Sequence, residues 1–230
     1  MLGTIVNALA IAAGTGLGCI LKSGIRSNYQ ETIMNAVALS VLLIGMMGAI
    51  KTSNLLLLIG CLVIGSIIGE AVKIEDRLSG LGRFIESKTA SSDGSVAKAF
   101  VDASLIFCVG SMAIVGSIES GLTGNHQTLF AKAVLDGVTS IFLSAALGFG
   151  VAFSAGAVFI YQGAITLAAT ALKPFLTEAM ITDISSIGGV LIMAIGLNML
   201  KITKIKVGNM LPAIILPFIY YLVKRALGLG

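Results

Sequence analysis

The 230-residue chain is 57% hydrophobic and only 11% charged, with a mean hydropathy of +1.02. A soluble domain averages about 45–50% apolar and roughly 25% charged, so the composition excludes one and points to a polytopic membrane protein. The net charge of +4 sits in short loops, where it reports topology and contact with anionic lipid headgroups rather than nucleic acid.

A bilayer helix needs about 20 mostly apolar residues, and the sequence supplies seven or eight such runs. The expected fold is all-α, a transmembrane helix bundle forming one integral membrane domain over 1–230. Within it, 1–72 holds the first three helices, 73–96 an interfacial helix and linker, and 97–230 the rest. The N-terminus lacks a basic n-region and a small-residue cleavage site, and reads as a retained first helix. Cys19, Cys61 and Cys108 lie inside apolar runs and read as packing residues, and neither they nor the loop residue His126 suggests a metal. No cofactor is implied.

The first helix spans about Leu2 to Leu21, with Gly14 and Gly18 spaced for close backbone approach and Asn7 on the same small face. The second runs from about Thr32 to Ile50 and carries Asn35, Ala38, Gly45 and Gly48. After the turn Lys51-Thr52-Ser53-Asn54, a third ends near Val72, with Cys61, Gly65 and Gly69 as its small stripe. Glu70 at its end reads as an interfacial, paired carboxylate. Residues Lys73 to Lys88 place Ile74, Leu78, Leu81 and Ile85 on one apolar stripe, the pattern of an amphipathic helix lying along the membrane surface.

The fourth helix is expected from about Ala97 to Ile118. Asp102 near its start is either a first-turn carboxylate facing the helix dipole or a second intramembrane acid. Then comes the stretch with the most chemistry. Lys132, Asp136, Ser140, Ser144 and Gly148 recur every fourth residue and share one helix face. A further apolar run follows across Gly148-Phe149-Gly150 with no charged loop, and it carries Ser154, Gln162 and Thr166 near helical spacing. A turn without polar residues suits a headgroup surface poorly, so a broken or re-entrant segment is expected at Gly148 to Ala155. Lys173-Pro174 ends the sixth helix. The seventh covers about Ile184 to Leu200 after an acidic loop, and the eighth, about Val207 to Val223, is kinked by Pro212 and Pro217.

Three stretches resemble one another: VLLIGMMGAIKTSN, LIFCVGSMAIVGSIESGL and VLIMAIGLNMLKITKIKVGN. Weak internal similarity of this kind marks repeats whose interface holds a substrate site. With eight crossings and the N-terminus outside, the basic loops near Lys22, Lys73 to Lys98 and Lys201 to Lys206 all fall inside. Seven crossings fit the charge bias about as well.

The wording FCVGSMAIVGSIESGL, KAVLDGVTSIFLSAALGFGVAFSA and IYQGAIT, with MLGTIVNALAIAAGTGLG and GLNMLKITKIKVGNMLPAI at the ends, resembles the YdfK/YqgA-like family of bacterial multi-pass membrane proteins over nearly the whole chain. The resemblance implies a bacterial inner-membrane protein of about seven transmembrane helices, in a family of unknown function that brings no substrate or catalytic residues with it.

Ionisable residues in so apolar a chain are costly and normally face a bundle interior or a watery path. The residues therefore point to a transporter of a small ion or compact solute. Asp136 is the ion site, Lys132 its charge partner, and Ser140, Ser144, Ser154, Gln162 and Thr166 line the path, with Asp102 and Asn7 as further polar candidates. The alternatives are a passive channel at a homo-oligomer interface, or a structural membrane protein in which the salt bridge serves only the fold, Lys132 snorkels to the headgroups and no cavity reaches Asp136. No HExxH or credible GxSxG accompanies the membrane residues, which argues against an enzyme. The many glycine faces suggest a homodimer.

Overall fold

The computed structural model describes residues 1–24, 27–77, 80, 95–109, 111–172 and 176–227. Among these there is no strand. Eleven α-helices follow in order: α1 (Leu2–Gly24), α2 (Ser27–Ala49), α3 (Leu55–Val72), α4 (Ser95–Cys108), α5 (Ser111–Thr123), α6 (Gln127–Leu147), α7 (Ala152–Leu167), α8 (Ala169–Leu172), α9 (Glu178–Met199), α10 (Val207–Met210) and α11 (Leu216–Ala226). By length and composition, six stretches can each cross a membrane, or seven with the bent pair α4–α5 taken as one span; the apolar part of α2, Met34–Ala49, is shorter. The interfacial helix expected over 73–88 falls largely outside the described residues, as do the linker after it and Lys173-Pro174.

Glycine seams set the architecture. A side chain at Gly14 or Gly18 of α1 would collide with the backbone of α6 at Gly137 and Ile141 and with the hydroxyls of Ser140 and Ser144. The two helices therefore touch backbone to backbone, and they run parallel. Gly45 and Gly48 of α2 close in the same way on Gly189 of α9, and Gly196 closes on Leu42, so this pair is antiparallel. Gly65 and Gly69 of α3 meet Ala213 and Asn209 of the last span, again antiparallel. Small residues permit such approach where apolar lipid gives helices no hydrophobic reason to associate. These seams lie within one chain and account for most of the glycine rows without a second subunit.

The pairing gives the internal similarity a geometric form. The hairpin α2–α3 turns at one end of the bundle, and the hairpin made by α9 with the last span turns at the other. They pack with α2 against α9 and α3 against α10 and the 3₁₀ turn after it, the arrangement of an inverted repeat. The first and third look-alike stretches are these two hairpins. The second, at 105–122, is instead the junction of α4 and α5.

That junction corrects the expectation of one helix from Ala97 to Ile118. The span is broken between Cys108, where α4 ends, and Ser111, where α5 begins, and the two helices meet at 61°. Gly148 to Ala155 forms no re-entrant segment. Gly148 turns with φ +87°, a short 3₁₀ helix covers Phe149–Val151, and α7 returns as a full span. The inner side of the turn is covered, since Gly150 abuts the backbone of Val96 in α4 and Val151 is fully buried, while Phe149 stays exposed. The last span is interrupted as its prolines imply, by a 3₁₀ turn over Leu211–Ile214 before α11.

Candidate functional site

Asp136 lies near the middle of α6 and Lys132 one turn before it. Lys132 Nζ donates to both carboxylate oxygens, at 2.9 and 2.7 Å, and both side chains are 9% exposed. Lys132 thus stays inside the bundle and does not snorkel. Helix α1 runs between α6 and α7, and its Asn7 ties them together. The Asn7 amide donates to Asp136 Oδ2 at 3.0 Å and to Gln162 Oε1 of α7 at 3.4 Å.

The surroundings of this network are polar and unsatisfied. Thr4 Oγ1, Asn7 Oδ1, Gln162 Nε2, Thr166 Oγ1 and Ser117 Oγ are buried with no protein partner. Thr4 and Thr166 lie one turn from Asn7 and Gln162 on the same helix faces. Ser117 sits on α5 between Gly116, which abuts Thr128 and Leu129 of α6, and Gly121, which abuts Thr166. A buried polar group without a hydrogen bond costs about 1–3 kcal/mol, and water or an ion is what satisfies such a group when no protein atom does. The line continues to Ser120, whose hydroxyl lies 2.9 Å from Nδ1 of the half-buried His126 in the α5–α6 loop. That Ser–His contact is not set up for nucleophilic catalysis: the neighbouring Glu119 carboxylate accepts from Asn125 and Thr128 rather than orienting the imidazole.

The other sequence candidates separate. Ser140 and Ser144 lie beyond Asp136 in the α1–α6 seam, where they donate to the carbonyls of Gly137 and of Thr15. Ser154 donates to Val151 in the first turn of α7, two helical turns before Gln162. Asp102 is elsewhere altogether. Because α4 begins at Ser95, Asp102 lies beyond the first turn, 5% exposed and with Oδ2 unpartnered. Glu70 is the expected paired carboxylate, but its partner is Lys206 at 3.0 Å, with Asn209 also donating to it. The bond to Glu70 holds the Lys206 ammonium above its ordinary pKa.

A third acid escaped the sequence reading. Asp183 was expected in a loop, yet α9 starts six residues earlier than expected, capped by the Thr177 side chain accepting from Met180 N–H. The cue was Thr177 followed by Met180, Ile181 and Ile184 at helical spacing. Asp183 is 2% exposed; Tyr221 of α11 donates to its Oδ2 at 2.9 Å, while Oδ1 has no partner. Replacing Tyr221 with Phe should destabilise the protein by about 1–3 kcal/mol, since the carboxyl then keeps no donor. Thermal unfolding in detergent checks this, and an unchanged midpoint would show that the bond contributes nothing.

A family model described as "Protein of unknown function (DUF554)" matches residues 2–222. The chain is 34% identical to the uncharacterized membrane protein YdfK of Bacillus subtilis (strain 168), over 100% of this chain and 99% of that protein. It is 28% identical to the uncharacterized protein YqgA of Escherichia coli (strain K12), over 94% of each. No solved structure matches.

Proposed function

The chain belongs to the DUF554 family, and from that premise we propose that this multi-pass membrane protein is an ion-coupled transporter of a small ion or compact solute in the bacterial inner membrane. One observation carries the reading: five buried polar groups without a protein partner lie on α1, α5 and α7, the helices around the mid-span Lys–Asp pair of α6. Asp136 holds the coupling ion. A proton or small cation reaching its carboxylate competes with the Lys132 ammonium, and Asn7 passes the change to α7 through Gln162.

The α1–α6 glycine seam closes the route on the far side of Asp136. A passive pore is therefore the weaker reading, because helices in backbone contact leave no continuous channel there. Alternating access would part this seam, and the inverted hairpins supply two units able to rock against each other. Chain direction gathers Lys22, Lys98, Lys201, Lys204 and Lys206 at one end, and the basic bias places that end in the cytoplasm. His126 then lies at the periplasmic end.

Proton or sodium flux into proteoliposomes tests the assignment. Wild type should show gradient-driven flux that Asp136→Asn abolishes while unfolding cooperatively on heating. A wild type that moves neither ion, or a variant with full flux, refutes it.

A further inference from the structure

Away from the Asp136 network, at the end rich in lysine, the helix termini leave a cavity of about 470 Å³. Its rim carries Lys98 from α4 and Lys201 and Lys204 from the turn between α9 and α10, all exposed. No ion pair holds these three among the described residues, whereas Lys206 beside them is taken by Glu70. Glu75 also lines the cavity, with its carboxylate accepting from Gly208 N–H; the three lysines outnumber the Glu75 and Asp102 carboxylates, so the concave surface attracts an anion.

Deeper in the same cavity Asp102 contributes its carboxyl, nine-tenths buried and with Oδ2 unpartnered. An acid so placed calls for a hydrogen-bond donor. Val101, the next residue, lines both this cavity and a second one of about 280 Å³. The second space is almost wholly apolar. It runs along α4 past Leu105 and Cys108 to Val109 at the kink, and is faced by Tyr161 of α7 and by Leu211 and Ile214 of the 3₁₀ turn.

In order along α4, then, the protein offers cations at headgroup level, a hydrogen-bond acceptor, and an apolar groove. Basic pockets between membrane helices on the cytoplasmic side bind lipid phosphates, and an apolar groove at membrane depth takes a hydrocarbon tail. We infer that this composite site binds a single-chain phospholipid, with its phosphate on Lys98, Lys201 and Lys204, its free glycerol hydroxyl donating to Asp102, and its one acyl chain along α4. A lysophospholipid carries those three groups in that order. A diacyl lipid has esterified the glycerol hydroxyl that would donate to Asp102, and its second chain has no place beside the first in the groove of about 280 Å³ along α4. This inference does not depend on the Asp136 reading, since the two regions share no residue.

Binding of palmitoyl-lysophosphatidylglycerol to the purified full chain in detergent, followed by native mass spectrometry with titration, tests it. The double variant Lys201→Gln/Lys204→Gln touches only exposed side chains and should stay folded. It should weaken binding by about fivefold for each lysine removed. Asp102→Ala, which removes the acceptor, should weaken lysophospholipid binding while leaving binding of dipalmitoyl-phosphatidylglycerol unchanged. Ser104→Leu, which narrows the groove, should weaken the palmitoyl ligand but not a short-chain analogue. The inference is overturned if glycerol 3-phosphate alone binds as tightly, which makes the site one for free phosphate, or if the diacyl lipid binds as well as the lysolipid. Affinity unaffected by the lysine pair overturns it equally.

Discussion

Asp136→Asn or Lys132→Met alone should destabilise the protein by about 3–5 kcal/mol, the cost of leaving one buried charge uncompensated. Removing both charges together, as Lys132→Met/Asp136→Leu, should recover most of that loss, because replacing a buried pair with apolar groups of similar volume is often neutral or better. Thermal or denaturant unfolding in the same detergent measures all three. The comparison separates two roles that the pair could play. If the neutral double variant regains stability but shows no flux, the charges are held for transport. If it regains both, they form a structural clamp. Should the single variants unfold as wild type does, neither charge is buried in the membrane-embedded protein and the site itself is misplaced. Asn7→Ala should act in the same direction but more weakly, since it removes one charge-assisted hydrogen bond to Asp136, worth about 1.5–3 kcal/mol.

The second large effect lies at the α1–α6 seam. Gly18→Ala would set a methyl group against the Ile141 carbonyl, and Gly14→Ala one against that of Gly137. A carbonyl cannot rotate away as a side chain can, so the helices must separate along the contact. Overpacking of this kind costs about 1–3 kcal/mol, occasionally more, and here it also props open the closure beyond Asp136. Gly16 lies on the same helix with open space where its side chain would be. Gly16→Ala should be harmless or stabilise by about 0.5–1 kcal/mol, because Ala is the better helix former. Melting temperatures of the three variants check the contrast. Equal effects at Gly14, Gly16 and Gly18 would mean that helix propensity, not the seam, is being measured.

Apolar content and its interruption were enough to mark a membrane bundle, because hydropathy over about 20 residues is a local property. Lys132, Asp136, Ser140 and Ser144 were correctly read as sharing one face, since helical spacing alone decides that. What the face meets was beyond the sequence. Its first half joins Asn7 and Gln162, 129 and 26 residues from Asp136 along the chain, while its second half is spent on backbone carbonyls of the α1 seam and of its own helix. Tertiary partners also decided the turn at Gly148: the absence of polar residues suggested a break inside the membrane, but a covering helix satisfies the same sequence. The break between α4 and α5 is invisible in the sequence, because an apolar run has the same hydropathy straight or kinked.

The sequence by itself determined that the chain is built of apolar membrane-length segments, where cations punctuate them, and which residues share a helical face. Each of these follows from composition or from the 3.6-residue period. Only the tertiary structure decided that α1 runs between α6 and α7, that the two hairpins are inverted, and that Asp102, Asp136 and Asp183 occupy three separate sites. The physical reason is that a buried charge must be matched by whichever helix packs against it. That pairing is set by the glycine seams between distant segments, and no local pattern in the chain encodes it.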